Sequence, residues 1–400
     1  MESNLKIKTT RSEILFCIAF FLYSYSQTVI ANSYLFGRDS SRFNVSNNLS
    51  YASAVILVIS IITRYKAKLR YLLNSAIFAL ISLLISYQTH SIGFGVNVLL
   101  IIAGYEIEFK KIVKFAVTSL FLETVLVIGG CLIGIVPDEL ITHGDLVAHT
   151  LGFAYYSNAP YQIFMIAIMI YWLLKSSKLE IPYLILNLAV QYVIYQIFTV
   201  RLVWYLYIFF IIVAFALHFV NKSNPHKWIT FWATIMFPIA SIFTVVASYL
   251  SQTTKIFSVM DVMLNGRLWF LYRGFTEYGL KLFGQYIQTS QEYIDENYIN
   301  HYFFIDSGYG YILLNYGLIF SAILLIGYSV FSRKAAQDRD FKLLVWCIAV
   351  CVFSIINNVL FSITQNPIPI LAVNMVVNYA RKMPRRKLVI SKSRLNKSWN

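Results

Sequence analysis

The chain has 400 residues, of which 58% are hydrophobic, 17% aromatic and only 13% charged. Soluble globular domains are nearer half apolar and a quarter charged, so this composition excludes an ordinary soluble domain and points to repeated membrane spans. The net charge of +15 would suit a nucleic-acid partner, but its distribution along the chain assigns it to membrane topology instead.

Twelve apolar segments occur in chain order, near 13–33, 49–63, 71–88, 92–105, 112–136, 160–174, 182–200, 202–220, 228–248, 309–331, 342–361 and 367–380. The first has a basic start and no small-residue cleavage site, so it reads as a retained span, not a removed signal. Segments 92–105 and 367–380 are short for a span of roughly 20 residues. The run 182–220 would be roughly 58 Å long as one helix, about twice the hydrocarbon thickness. It must turn around near Arg201. Cys17, Cys131, Cys347 and Cys351 all lie inside apolar segments and read as small buried hydrophobes, with no disulfide framework.

With the N-terminus in the cytoplasm, 26 of the 33 Lys and Arg fall on the inner face and seven outside. This asymmetry follows the positive-inside rule. The expected architecture is an all-α polytopic membrane protein, a single domain over residues 1–400 with about twelve transmembrane helices and both ends cytoplasmic. The basic tail 381–400 would lie on anionic headgroups. Two outer segments are long: 137–160, which lacks Lys and Arg, and the loop 249–308.

Several residues are chemical candidates. Arg201 at the span boundary either snorkels to headgroups or binds an anionic group such as a lipid phosphate. In LNGRLWFLYRGFTEYGLKLFG (264–284), Leu264, Leu268, Leu271, Tyr272, Phe275, Tyr278 and Leu282 fall on one helical sector, with Arg267, Arg273, Glu277 and Lys281 opposite. That is an amphipathic helix suited to lying on the membrane surface. Arg273 and Glu277 either pair at i, i+4 or, for the arginines, face a cavity shared with Arg201. Asp306 stands before the tenth span with His301 five residues earlier. Either is a candidate general base, and Asp306 with Ser307 is also a candidate helix cap. His143, Asp145 and His149 match no strong zinc spacing. Glu123 is an acid in mid-span, either functional or hydrogen-bonded to a neighbouring helix. No Walker, GxGxxG, CxxC or HExxH pattern occurs.

Four stretches carry a resemblance to the Wzy polymerases of bacterial capsule, exopolysaccharide and O-antigen synthesis, which belong with the O-antigen ligases. LGFAYYSNAP (151–160) resembles that family's LGF…PN segment. TVR (199–201) resembles its T-x-(S/T)-R. NGRLWFLYRGF (265–275) with LFG (282–284) resembles GR…W…(F/L)-x-G, and DSGYGYILLNYGLI (306–319) resembles (H/D)-N-x-Y…L…(Y/F)-G-(I/L). The likeness covers roughly residues 150–330. It departs where the ligases carry a histidine and this chain carries Asp306, and where Ser157–Asn158 replaces a proline–asparagine pair.

The resemblance implies an inverting glycosyltransferase that needs no metal, nucleotide or other cofactor. Its donor would be an oligosaccharide on undecaprenyl pyrophosphate at the outer face of the bacterial cytoplasmic membrane. Arg201 and Arg267 would hold the pyrophosphate and Asp306 would serve as base, with Arg273, Glu277 and His301 as further substrate contacts. Membrane lipid, a flippase and a chain-length regulator are the implied partners. A lipid-linked oligosaccharide flippase and an O-antigen-ligase-like transferase are the rival functions.

Overall fold

Away from water, every backbone N–H and C=O needs a partner within the protein, and a helix supplies one for nearly all of them. All twelve apolar segments are helical in the computed structural model, which describes residues 11–37, 41–63, 69–105, 107–143, 146–220, 227–289 and 303–377. The helices are α1 (Arg11–Tyr25), α2 (Ser41–Ile62), α3 (Leu69–Thr89), α4 (Ile92–Ala103), α5 (Phe109–Leu132) and α6 (Asn158–Leu173). They continue with α7 (Glu180–Phe198), α8 (Arg201–His218), α9 (Lys227–Leu250), α10 (Lys255–Met263), α11 (Arg267–Tyr278) and α12 (Gly308–Tyr311). The last are α13 (Gly317–Gln337), α14 (Phe341–Phe353) and α15 (Ile368–Val377). Seven helical stretches are long and apolar enough to cross a membrane, and five apolar helices are shorter. The basic tail lies outside the described residues.

The long apolar run 182–220 turns where its length demanded. α7 ends at Phe198, Thr199 takes a left-handed conformation (φ 53°), and α8 starts at Arg201. α1 and α2 pack through small side chains, with Ser46, Ser50, Ser53 and Ser60 buried on α2, as helices do when lipid offers no hydrophobic drive between them. Ser26 meets Ser50 at 3.2 Å and Ser12 meets Ser60 at 3.4 Å. Glu123, 1% exposed, accepts from Ser119 at 2.7 Å and from Ser24 on α1 at 2.8 Å. The mid-span acid is therefore tied to a neighbouring helix. The four cysteines are free thiols.

The expected helix over 342–361 stops at Phe353, and α15 begins only at Ile368. Residues 354–367 run without a regular helix, yet they are mostly buried. The reason lies in their carbonyls. Gly308 N–H donates to Ser354 O at 2.9 Å and Asn357 O at 3.1 Å, and Tyr328 OH donates to Leu360 O at 2.8 Å. Asn366 Nδ2 donates to Tyr328 OH at 2.7 Å and to Val359 O at 3.3 Å. Irregular backbone survives at membrane depth only when other protein groups satisfy it in this way.

At the opposite end of α14, Lys342 and Glu180 form a buried ion pair at 2.5 Å, with His218 Nδ1 at 2.8 Å from the second Glu180 oxygen. Trp172 Nε1 donates to Asp340 at 3.2 Å. These contacts join α6, α7 and α8 to the start of α14.

A two-stranded hairpin, β1 (Leu140–His143) and β2 (Leu146–His149), pairs antiparallel with Leu140 opposite His149. It lies between α5 and α6. Phe153 makes an isolated bridge to Ser33, and Tyr34 N donates to Gly152 O at 3.0 Å, so the segment entering α6 is pinned to the turn that follows α1 and its π-helical extension Ser26–Ala31.

The segment after α11 crosses the start of α13 backbone to backbone. Gly317 has φ +82°, and a Cβ there would lie 2.2 Å from Gly284 N and 2.6 Å from Leu282 O. Gln285 N donates to Asn315 O at 3.1 Å and Leu318 N to Lys281 O at 3.0 Å, closing the crossing. Gly317→Ala is expected to lower the thermal midpoint of the purified protein strongly, with strain of at least about 1–3 kcal/mol. Gly129→Ala, inside α5 with nothing within 4 Å, is the control and is expected to leave the midpoint unchanged or slightly raised. Equal midpoints for the two variants would refute the crossing.

Candidate functional site

The expected amphipathic helix over 264–284 is shorter, Arg267–Tyr278, and is preceded by the separate helix α10. Asn265 (φ 57°) and Gly266 (φ 77°) make the left-handed turn between them, a conformation Gly and Asn adopt most readily. Asp261 on α10 then caps α11, accepting from Leu268 N at 2.7 Å and Trp269 N at 3.3 Å. The turn and cap fix Arg267 as the first residue of α11. Gly279 (φ 65°) ends the helix.

Much of the apolar face of α11 packs against the protein itself. Leu271 and Phe275 are buried with Ile287, Phe303, Ile305 and Leu314. The face is covered by the chain itself, because the segment 303–305 and the π-helical turn Ile312–Tyr316 return beneath it.

This packing turns Arg267 inward. Its side chain is 17% exposed, and Nε donates to Asp306 Oδ2 at 2.7 Å. Asp306 is held in place by the two residues after it in the chain. Ser307 caps α12, accepting from Gly310 N at 3.3 Å, and Gly308 is anchored on the 354–357 carbonyls. Cap and acid are thus adjacent residues with separate roles. Tyr161 of α6 and Tyr156 lie close enough to feel the charges of Arg267 and Asp306. Burial works against the Arg267 charge, but Tyr161 and Asp306 outweigh it and hold the guanidinium well above its ordinary pKa. Tyr156 is pushed up to about 12, first by burial and then by Tyr155 and Tyr161. Arg267 Nη1 is buried without a hydrogen-bond partner in the structure.

The other candidate residues fall elsewhere. Arg273 is paired with Glu277 one turn on and lies over the rings of Phe303 (5.3 Å) and Trp269 (5.8 Å). Arg201 opens α8, exposed, and makes no ion pair among the described residues. His301 and Asp145 lie outside the described residues. His149 pairs with Asp138 at 2.6 Å, and no metal-ligand cluster occurs among the described residues.

Tyr156, Tyr161 and Asn357 escaped sequence reasoning. The tyrosines sit in AYYSNAPY (154–161), where three phenols within seven residues at a helix entry were the available signal. Asn357 lies in a segment whose composition reads as helix, so nothing marked it. Together the site offers a guanidinium held through Nε by Asp306, a buried Nη1 with no partner, and a carboxylate beside it. Such a fork suits an oxyanion, and the carboxylate suits a proton. No family model, curated protein or solved structure matches the chain.

The hairpin that leads into α6 carries its own pH-sensitive tie. Asp138 Oδ1 accepts from Leu151 N at 2.8 Å and Thr150 N at 3.0 Å, and Oδ2 meets His149. Burial pushes the Asp138 carboxyl up, but His149 and the two amides hold it net below the ordinary carboxylate value. A group depressed in the folded state stabilises fully above its unfolded pKa and loses that contribution as pH falls through the folded value. Amide exchange at Thr150 and Leu151, corrected for intrinsic rate, is expected to accelerate over that acid range. Asp138→Asn is expected to show the faster exchange already at neutral pH. Protection that is flat with pH and unchanged in the variant would overturn this assignment.

Proposed function

We propose that the chain is a membrane glycosyltransferase that polymerises lipid-linked oligosaccharide repeat units. The observation that carries this reading is the Arg267–Asp306 pair, with its unused buried Nη1 beside a carboxylate, at the end of a bundle of apolar helices. A donor carried on a membrane lipid through a diphosphate would bring an oxyanion to such a place, and the order of the sequence motifs resembles Wzy polymerases. In this reading both termini are cytoplasmic, about twelve helices span, and the site faces the outer leaflet.

The chemistry rests on the two groups. Arg267 Nη1 donates to the donor's diphosphate and stabilises the charge that grows on it as it leaves. Asp306 Oδ1, the oxygen not bonded to Arg267, accepts the proton of the acceptor sugar's hydroxyl. The acceptor oxygen forms a bond to the anomeric carbon as the carbon–oxygen bond to the diphosphate breaks, and that electron pair departs with the diphosphate. Attack opposite the leaving group inverts the anomeric centre. Arg201 supplies a second cation where the positive end of the α8 dipole also favours an anion. Arg273 is occupied by Glu277 and by two aromatic rings, which gives it a supporting role in holding α11.

Arg267→Ala is expected to leave the protein in the membrane and to cut chain growth at least about a hundredfold, the scale of losing one preorganised oxyanion donor. Arg267→Lys, a point charge without the fork, is expected to restore little. Arg201→Ala is also expected to stop chain growth. The measurement is the glycan length profile in cells whose own copy is deleted, complemented by each variant. Single repeat units accumulating at the outer face support a polymerase. Precursor accumulating at the inner face indicates a flippase. Normal polymer with a missing final attachment indicates a ligase, and full-length polymer with both arginines removed refutes the site.

A further inference from the structure

The helix α10 carries its apolar side chains outward. Ile256, Val259, Met260, Val262 and Met263 fall within one helical sector of about 160°. No residue of α10 is buried, and Val259, Met263, Val262 and Ile256 are 54%, 73%, 76% and 80% exposed. The opposite side faces the protein. There Phe257 meets Phe243 of α9 with ring centroids 6.4 Å apart, and Asp261 caps α11. The one carboxylate of the helix is thus turned inward and its aliphatic side chains outward, the reverse of a helix that faces water. An exposed apolar patch of this kind marks an interaction surface.

The level of α10 indicates what covers that surface. α9 is long and apolar enough to cross a membrane, and its Ile239, Ile242, Phe243 and Val246 are exposed. Phe243 stands two turns, roughly 10 Å along the axis, before the end of α9 at Leu250. Thr254 N donates to Leu250 O at 2.8 Å, so the chain turns as soon as α9 ends, and Phe257 packs back against Phe243. α10 therefore lies beside the last turns of α9, not beyond them, and its outward sector continues the exposed apolar surface of α9. Lys255 opens the helix, and its long stem can carry the ammonium to lipid headgroups.

We propose that α10 docks in the phospholipid leaflet at this end of α9, its apolar sector at the boundary of headgroups and acyl chains. The bilayer thereby steadies the Asp261 cap, which with the turn at Asn265–Gly266 sets Arg267 at the head of α11. A helix held by lipid on one side positions the guanidinium on the other. The proposal goes beyond the glycosyltransferase reading and stands without it, since it requires α9 to span but no particular reaction.

The test uses the full-length protein in nanodiscs of phosphatidylethanolamine and phosphatidylglycerol. Nitroxide labels are placed through Val259→Cys and Met263→Cys after the four native cysteines are replaced by alanine, with Thr276→Cys on the exposed side of α11 as reference. Labels at 259 and 263 are expected to collide with oxygen, which concentrates in hydrocarbon, and to lose collisions with a water-soluble nickel chelate. The label at 276 is expected to keep them. Should the alanine background not fold, benzoylphenylalanine at position 262 of the otherwise native chain is expected to give a phospholipid adduct on illumination. Labels at 259 and 263 open to the chelate would place α10 in water. Labels closed to both quenchers, or a protein adduct at 262, would place it against a second copy or another protein. Each of these results overturns the docking. For the cap, Val259→Asp combined with Met263→Asp is expected to speed amide exchange at Leu268 and Trp269 about fivefold, the scale of losing one helix cap. Asp261→Ala is expected to give the same increase. Exchange unchanged in the double variant overturns the link from lipid to Arg267.

Discussion

Gly308 gives its one backbone N–H to two carbonyls, those of Ser354 and Asn357. A Cβ at this position would lie 2.8 Å from Asn357 O, so only glycine allows the approach. From this shared hydrogen bond the site is assembled in both directions along the chain. Backwards, it seats the Ser307 cap and, next to it, Asp306. Forwards, it satisfies carbonyls of the non-helical stretch that follows the end of α14 at Phe353. Three separated stretches, 156–161, 261–267 and 306–308, converge around a fourth that is not a helix.

The electrostatics of the site are those of a compensated charge. Burial alone would disfavour the Arg267 cation, and a partly buried ion pair contributes little net stability once both ions have left water. Its use lies in orientation. Nε is fixed by Asp306, which orients the planar fork and the unpartnered Nη1 before any ligand arrives. Preorganised donors of this kind cost nothing to arrange at the moment of reaction. Asp306, 35% exposed, keeps one oxygen toward solvent and is screened accordingly.

The helical architecture was legible because hydrophobic length is a strong signal. Each of the twelve apolar segments contains a helix, though that over 342–361 stops at Phe353, and the break at Thr199 followed from length alone. What the sequence concealed was tertiary. The stretch 354–361 is apolar enough to read as a continuing span, and it is unwound only because Gly308, Tyr328 and Asn366 offer its backbone other partners. The amphipathic stripe of α11 announced a buried face but not its cover, since membrane and protein are equally apolar to Leu271 and Phe275. Arg267 stood out by its charge, and Asp306 by its place before a helix. Tyr161 is one of 29 tyrosines, and only its nearness to the charges of Arg267 and Asp306 sets it apart.

The short helices α14 and α15 bear on how the chain is made. At 13 and 10 residues, each spans roughly 15–20 Å, well under the hydrocarbon thickness of about 30 Å. Over its described residues, neither reaches the length of an independent span. Their polar groups are met by helices synthesised earlier: Asn374 Nδ2 donates to Ile101 O on α4 at 2.8 Å, and Asn74 on α3 donates to Val377 O at 2.8 Å. Biogenesis thus acquires an order. The bundle formed by the preceding helices is the receiving surface, and the segment carrying Asn357 reaches its place only after that surface exists.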